Sequence, residues 1–373
     1  MKNLIPVNRP KFTGNEKKYL NEAIDTEWIS SESPFVTRFE TAFSEYFEMK
    51  FASTVSNGTV ALELAVRALG LKKNDEVILP SFTIISCVLA VIRAGAKPVL
   101  VDVDPETWNM DVDLVESKIN SNTKAILVVH TYGLPTDMDK INFLKEKYGL
   151  YIIEDNAEGI GLKFNNRICG SFGDLSIVSL YSNKHVTTGE GGMVFTNNEK
   201  FHEKINYWKN LCFNKESRFV HYDLGWNYRM TGLQAAVGLA QLEQIDRATL
   251  KKKRLAEIYD ERFRSISKIQ IPKKSTPNAK NIYWVYGIVL HDQDLIYRNI
   301  VMERMLEHGV ETRPFFWPLH LQPALMNQGY FLNEKFPVSE TLGRTGFYLP
   351  SGLGNTEEEV EFSASTLVKI LGD

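Results

Sequence analysis

From about Phe51 to Asn197, short apolar runs rich in β-branched residues alternate with longer stretches whose apolar positions recur at helical spacing. That rhythm predicts βαβ units feeding a mostly parallel sheet. The apolar pattern places strands at Phe51–Val55, Glu76–Leu79 and Pro98–Val103, separated by helices at Thr59–Leu69 and Ile85–Arg93. The cycle repeats with an apolar run from Ala125 to His130, a helical period from Met138 to Tyr148, and a strand at Tyr151–Ile153 that runs into Glu154-Asp155. From Gln234 to about Phe263 the pattern predicts one long helix linking two lobes. Beyond it, a strand-like run at Tyr283–Leu290 and helical patterns at Ile296–Glu307 and Glu357–Leu371 indicate a smaller α+β domain. The expected organisation is a large α/β domain over residues 1–245 and a small C-terminal α+β domain over 246–373.

Composition narrows the classes of function. With 373 residues, 43% of them apolar, the chain buries a large core. A net charge of −3 leaves no basic footprint for nucleic acid. The longest apolar run, Cys87–Ile92, is interrupted by Arg93 and is too short to span a bilayer, and Met1–Lys11 lacks the apolar core of a secretory leader. Three widely spaced cysteines without C-x-x-C spacing argue against a disulfide framework or a thiolate metal site and fit free thiols in a reducing cytoplasm. No metal site is expected.

Three motifs carry chemistry. Ser56-Asn57-Gly58-Thr59 falls between a strand and a helix, where small residues let N–H groups and the Thr59 hydroxyl approach an anion; the plainer alternative is a helix cap. Asp155 ends a strand, at the sheet edge where open α/β sheets bind ligands. Lys184 follows Ser179-Leu180-Tyr181-Ser182-Asn183 and precedes His185, Thr187, Thr188 and Gly189-Glu190-Gly191-Gly192. A lysine amine, a carboxylate and a phosphate cup are the three requirements of pyridoxal 5'-phosphate: a Schiff-base partner, a counterion for the pyridine nitrogen and donors for the phosphate. Glu158, three residues past Asp155, is placed to turn back toward the same ligand. No G-x-G-x-x-G follows the first strand, which removes a dinucleotide-dependent dehydrogenase.

These motifs, together with Ile5-Pro6-Val7, Thr26-Glu27-Trp28-Ile29-Ser30-Ser31, Asn227-Tyr228-Arg229-Met230-Thr231 and Glu311-Thr312-Arg313-Pro314, give the chain a resemblance to the DegT-type sugar-nucleotide aminotransferases over nearly its whole length. The resemblance implies a fold-type-I pyridoxal phosphate enzyme. It implies that Lys184 and Asp155 are catalytic and that Gly58, Thr59, Ile84, Asp155, Glu158, Ser179, Lys184 and Asn227 hold the cofactor. Asn227 would reach the neighbouring subunit's phosphate, giving a homodimer with shared active sites. Arg229, Arg313 and His320 match positions near substrate, although Arg229 equally suits a structural ion pair. The implied reaction uses L-glutamate to form pyridoxamine 5'-phosphate and then aminates a nucleotide-linked 4-keto-6-deoxy sugar for surface polysaccharide. Within the family the narrower likeness is to members acting on a GDP-linked sugar. Another keto sugar or a small keto phosphate would leave the cofactor motifs intact.

Two positions depart from the family pattern. Ile84 stands where an aromatic ring usually stacks on the cofactor, a change costing on the order of 1 kcal/mol of stacking. His185, beside the lysine, is either a proton shuttle or substrate contact, or an imidazole packed next to the site. Phe315, Phe316 and Trp317 either frame the substrate or pack between lobes. A sugar 3-dehydratase of the same family carries histidine in place of the Schiff-base lysine, so Lys184 argues against that activity; intact Lys184 and Asp155 also argue against a catalytically silent relative.

Overall fold

A computed structural model describes residues 4–214 and 216–372. The first three residues of the N-terminal stretch therefore lie outside the described residues. The central sheet has seven strands in the spatial order Phe51–Val55, Gly192–Thr196, Leu175–Ser179, Tyr151–Asp155, Thr123–Val129, Glu76–Pro80 and Lys97–Val101. Five neighbouring strands pair in parallel, while Gly192–Thr196 runs antiparallel between Leu175–Ser179 and Phe51–Val55. The expected α/β class with a mostly parallel sheet is what the chain adopts.

The reason is visible in burial. Strands such as Thr123–Val129 are buried almost throughout, because helices cover both faces and continuous apolar runs satisfy both. The helices Gly58–Ala68 and Ile85–Arg93 pack on one face with Val55, Leu79, Leu127 and Ile177. On the other face Met138–Tyr148 joins Ile78, Ile126, Val128 and Ile152. Apolar residues removed from water at about 25 cal/mol per Å² supply the main drive for this layering.

The long helix expected from Gln234 is two. Gly232–Leu242 ends and Ile245–Phe263 begins anew, with Gln244 at φ −107° and ψ 8° between them. Each segment has its own core: the first packs with Phe39 and Phe43, the second with Tyr286 and Phe347. The strand expected from Tyr283 starts at Tyr286, because Tyr283 takes φ 54°, outside the extended region. Ile269–Gln270, Tyr286–Leu290, Gly346–Leu349 and Arg313–Pro314 form a second, antiparallel sheet covered by Ile245–Phe263, Leu295–Glu307 and Glu357–Gly372.

The two halves are laced together. Ile5 bridges to Val310, and Ala279–Lys280 pairs with Lys163–Phe164 in a third small sheet. An aromatic cluster joins Phe82, Trp108 and Tyr132 to Trp284 and Phe315. No described helix is long and apolar enough to cross a membrane.

Candidate active site

At the carboxyl end of the parallel strands lies a cavity of ≈ 590 Å³ lined by residues from both halves. Two helix N-termini converge on it. Asn57 caps Gly58–Ala68 by accepting from the Val60 N–H at 3.0 Å, and Ile84 is the extended residue before Ile85–Arg93. The Thr59 hydroxyl meets the Ser86 hydroxyl at 2.8 Å, one from the first turn of each helix. Ser179 crowds the same end: a Cβ added at Gly58 would sit 2.8 Å from the Ser179 Cβ. Only glycine leaves the main chain open there, so small residues, hydroxyls and free N–H groups form a cradle suited to a phosphate.

The opposite end is acidic. Strand alternation sends Glu154 and Asp155 to different faces. Glu154 turns into the core, where its carboxylate accepts from the Gly170 and Gly173 N–H groups at 2.7 and 2.6 Å and pairs with His130 at 3.1 Å. Asp155 faces the cavity; its Oδ1 accepts from the Ala157 N–H at 3.0 Å and its Oδ2 from the Cys87 thiol at 3.2 Å. Burial pushes its pKa up, opposed by the Ala157 hydrogen bond and by the charge of Lys184. Glu158 also lines the cavity, is anchored by the Tyr132 N–H at 2.8 Å, and is raised to about 7 by burial.

Lys184 lies in the connection between Leu175–Ser179 and Gly192–Thr196, a loop tied by Lys184 N–H to Tyr181 O, Thr188 N–H to Leu180 O, and the Tyr181–Gly189 bridge. Its amine enters the cavity 3.6 Å from the centre of the Trp284 ring. Burial lowers its pKa while Glu158 and Asp155 pull it up. The charge and shape requirements of pyridoxal phosphate are met in one place: an amine, two carboxylates and a hydroxyl-lined double helix terminus.

Of the residues singled out in the sequence, Gly58, Thr59, Ile84, Asp155, Glu158, Ser179 and Lys184 line this cavity. His185 does not. Its ring is 3% exposed on the far side of the loop, between Lys252 and the N-terminal segment, with Nε2 unpartnered and a pKa lowered to about 3 by burial. A neutral, buried imidazole there suits the packing alternative; the small cavity beside it is lined by Asn8, Arg9, Pro10, Asn183, Lys184, Lys252 and Leu353. His320 is likewise outside, buried, bonded to Glu340 at 3.2 Å and packed on Phe336. Arg229 donates to the Asn210 side chain at 2.6 Å, a structural bond within its own chain. Arg313 is exposed, 3.8 Å from Glu311, and does not itself line the cavity; its charge acts on Tyr348, which does. Asn227 is exposed, bridges to Asn210 and does not line the chain's own cavity, although the next residue, Tyr228, does.

The structure adds residues given no role in the sequence reading: Ser86, Tyr228, Trp284 and Tyr348 all line the cavity. Of the aromatic run, Phe316 faces the cavity, Phe315 packs in the inter-lobe cluster, and Trp317 donates to Leu321 O. Ile84 leaves one wall aliphatic, while rings gather on the side formed by Trp284, Phe316 and Tyr348.

The DegT/DnrJ/EryC1/StrS aminotransferase family model matches residues 10–367. The chain is 40% identical over 369 residues to GDP-perosamine synthase of Escherichia coli O157:H7, covering 99% of each protein. It is 40% identical over 360 residues to GDP-perosamine synthase of Vibrio cholerae, covering 96% of each. In three dimensions it is similar to Helicobacter pylori PseC, an aminotransferase involved in the biosynthesis of pseudoaminic acid, with a TM-score of 0.93 at 22% identity and 99% and 100% coverage.

Proposed function

The chain belongs to the DegT/DnrJ/EryC1/StrS aminotransferase family, and from that membership we propose that it moves an amino group from L-glutamate to C4 of a GDP-linked 4-keto-6-deoxy sugar. It is a pyridoxal phosphate-dependent sugar-nucleotide aminotransferase serving polysaccharide biosynthesis. The observation that carries the reading is the single cavity holding the Lys184 amine, the Asp155 and Glu158 carboxylates and the Thr59, Ser86 and Ser179 hydroxyls.

In this reading Lys184 holds the cofactor, Asp155 pairs with its ring nitrogen, Glu158 sits by its ring hydroxyl, and Gly58, Thr59, Ser86 and Ser179 hold its phosphate. When bound, the cofactor supplies an electron sink for the pair left when a proton leaves the substrate carbon. Asp155 supports that sink by remaining ionised beside a positive ring nitrogen. Lys184, released from the cofactor, takes the proton as a neutral amine and returns it as an ammonium. Its lowered pKa serves the first role, and the two carboxylates preserve the second. Phe316, Trp284 and Tyr348 exclude water from the exchange and offer a flat apolar wall to a sugar ring.

Asn227 completes the phosphate cup of a second copy, so the working unit is a homodimer with shared sites. Three buried free cysteines fit operation in the cytoplasm.

The test is spectroscopic. Protein loaded with pyridoxal phosphate should show a visible band that fades into the near-ultraviolet on excess L-glutamate and returns on adding a GDP-linked 4-keto-6-deoxy sugar. If the band never forms, the lysine assignment fails. If it fades but returns only with another nucleotide's keto sugar or a small keto phosphate, the class stands and the substrate is corrected.

A further inference from the structure

Trp284 meets Lys184 from the other half of the chain. Its indole Nε1–H donates to the Asn183 carbonyl at 3.0 Å, so the ring is fastened to the loop that carries the lysine. The Lys184 Nζ lies over the ring face, 3.6 Å from its centroid. The indole is 4% exposed and leans on Tyr132 at 5.9 Å.

The backbone delivering this ring is itself specialised. Tyr283 adopts φ 54°, uncommon for a bulky residue, and its N–H is held by Asn281 Oδ1 at 2.7 Å. Gly133 passes so close that an added Cβ would lie 2.7 Å from the Trp284 nitrogen, and the Gly133 carbonyl accepts from Ile282 at 2.9 Å. Strain of this kind persists where surrounding contacts over-determine a position.

We propose that Trp284 is a positioning residue whose indole face receives the Lys184 amine whenever that amine is not bonded to cofactor. The proposal rests on the reading of Lys184 as the proton-moving group. Once released, a lysine has four rotatable bonds and a cavity of ≈ 590 Å³ in which to wander. A ring face attracts its ammonium form and leaves the neutral amine nearly indifferent. The indole therefore holds the protonated amine at one spot between taking the proton and returning it. The Asn183 hydrogen bond makes ring and lysine loop move as one piece, so the distance is insensitive to shifts of the rest of the chain.

Trp284→Phe and Trp284→Leu are compared in the cofactor-loaded enzyme, together with protein carrying fluorinated tryptophans, which keep the shape and weaken the face. Three quantities are read: cofactor stoichiometry, the pH at which the visible band titrates, and the single-turnover rate constant with L-glutamate across pH. In W284L the rate constant should fall roughly tenfold and the acid limb of the rate profile should move about one pH unit lower, with full cofactor content, while the visible band, which reports the amine bonded to cofactor, should titrate where it does in the wild type. W284F should recover most of the loss, and successive fluorination should move the acid limb in the W284L direction stepwise. Unchanged acid limbs in W284L and fluorinated protein, or a W284F no better than W284L, would overturn the proposal. Should W284L fail to fold, the fluorinated series alone decides. Retained turnover in Lys184→Ala would instead overturn the lysine reading, a separable failure.

Discussion

At the scale of single residues, the site sets groups of opposed preference against one another. Lys184 is pushed toward neutrality by burial, while Glu158 and Asp155 resist. Lys184→Ala is expected to abolish turnover yet retain binding of pyridoxamine phosphate, checked by absorbance after gel filtration. Asp155→Asn should keep the cofactor in place but lower the single-turnover rate at least a hundredfold, because a neutral amide does not hold a proton on the ring nitrogen. Glu158 gives a pH dependence of stability with a definite sign. Its folded pKa of about 7 lies above the ordinary carboxylate value, so between those two pH values the native state binds the extra proton. Stability of the cofactor-free protein then falls as pH rises through that window. Glu158→Gln should raise Tm by a few degrees at pH 8 and change it little at pH 4.5, measured by calorimetry; equal shifts at both would contradict the buried-carboxylate reading.

At the scale of elements, the cradle depends on how closely the helix Gly58–Ala68 approaches the strand Leu175–Ser179. Gly58→Ala should weaken pyridoxal phosphate affinity at least tenfold, read by equilibrium titration, since its Cβ must displace Ser179. Such closeness explains what was legible beforehand. Thr59, Asp155, Ser179 and Lys184 each sit at or just beyond a strand end, and the period-two and period-3.6 patterns locate strand ends. Ser86 was hidden because it reads as an ordinary first-turn residue until its helix is packed beside Thr59. Trp284 and Tyr348 were hidden, and Phe316 was left between two readings, because nothing local tells a cavity aromatic from a core aromatic. His185 misdirected attention because neighbours in a loop point to opposite sides, just as Glu154 and Asp155 do in their strand. The helical period ran on through Glu243-Gln244 because both are ordinary helix formers, and only the divergent packing of the two segments breaks the rod.

At the scale of the molecule, the interior of one half is completed by the other. Ile5 joins the C-terminal half by bridging to Val310, and Trp284 returns the exchange at the cavity. Asn227, which does not line its own cavity, is the residue proposed to extend the principle to a second copy. Lys184→Ala and Asn227→Ala proteins, each inactive, should regain about a quarter of wild-type activity when unfolded together and refolded in equal amounts, since half of the random dimers hold one intact site of two. No recovery on mixing would refute shared sites.

The placement of Phe51–Val55 carries a consequence for the order in which the protein comes into being. This strand lies at the sheet edge and is paired to the antiparallel Gly192–Thr196, so its slot does not exist until the chain has been extended well past Lys184. During translation the segment leading to Gly58 waits, exposed, while the parallel strands behind it assemble in sequence. Vitamin capture thus waits until synthesis has passed residue 196, beyond the midpoint of the 373-residue chain, and a chain truncated before that residue is expected not to sequester the vitamin.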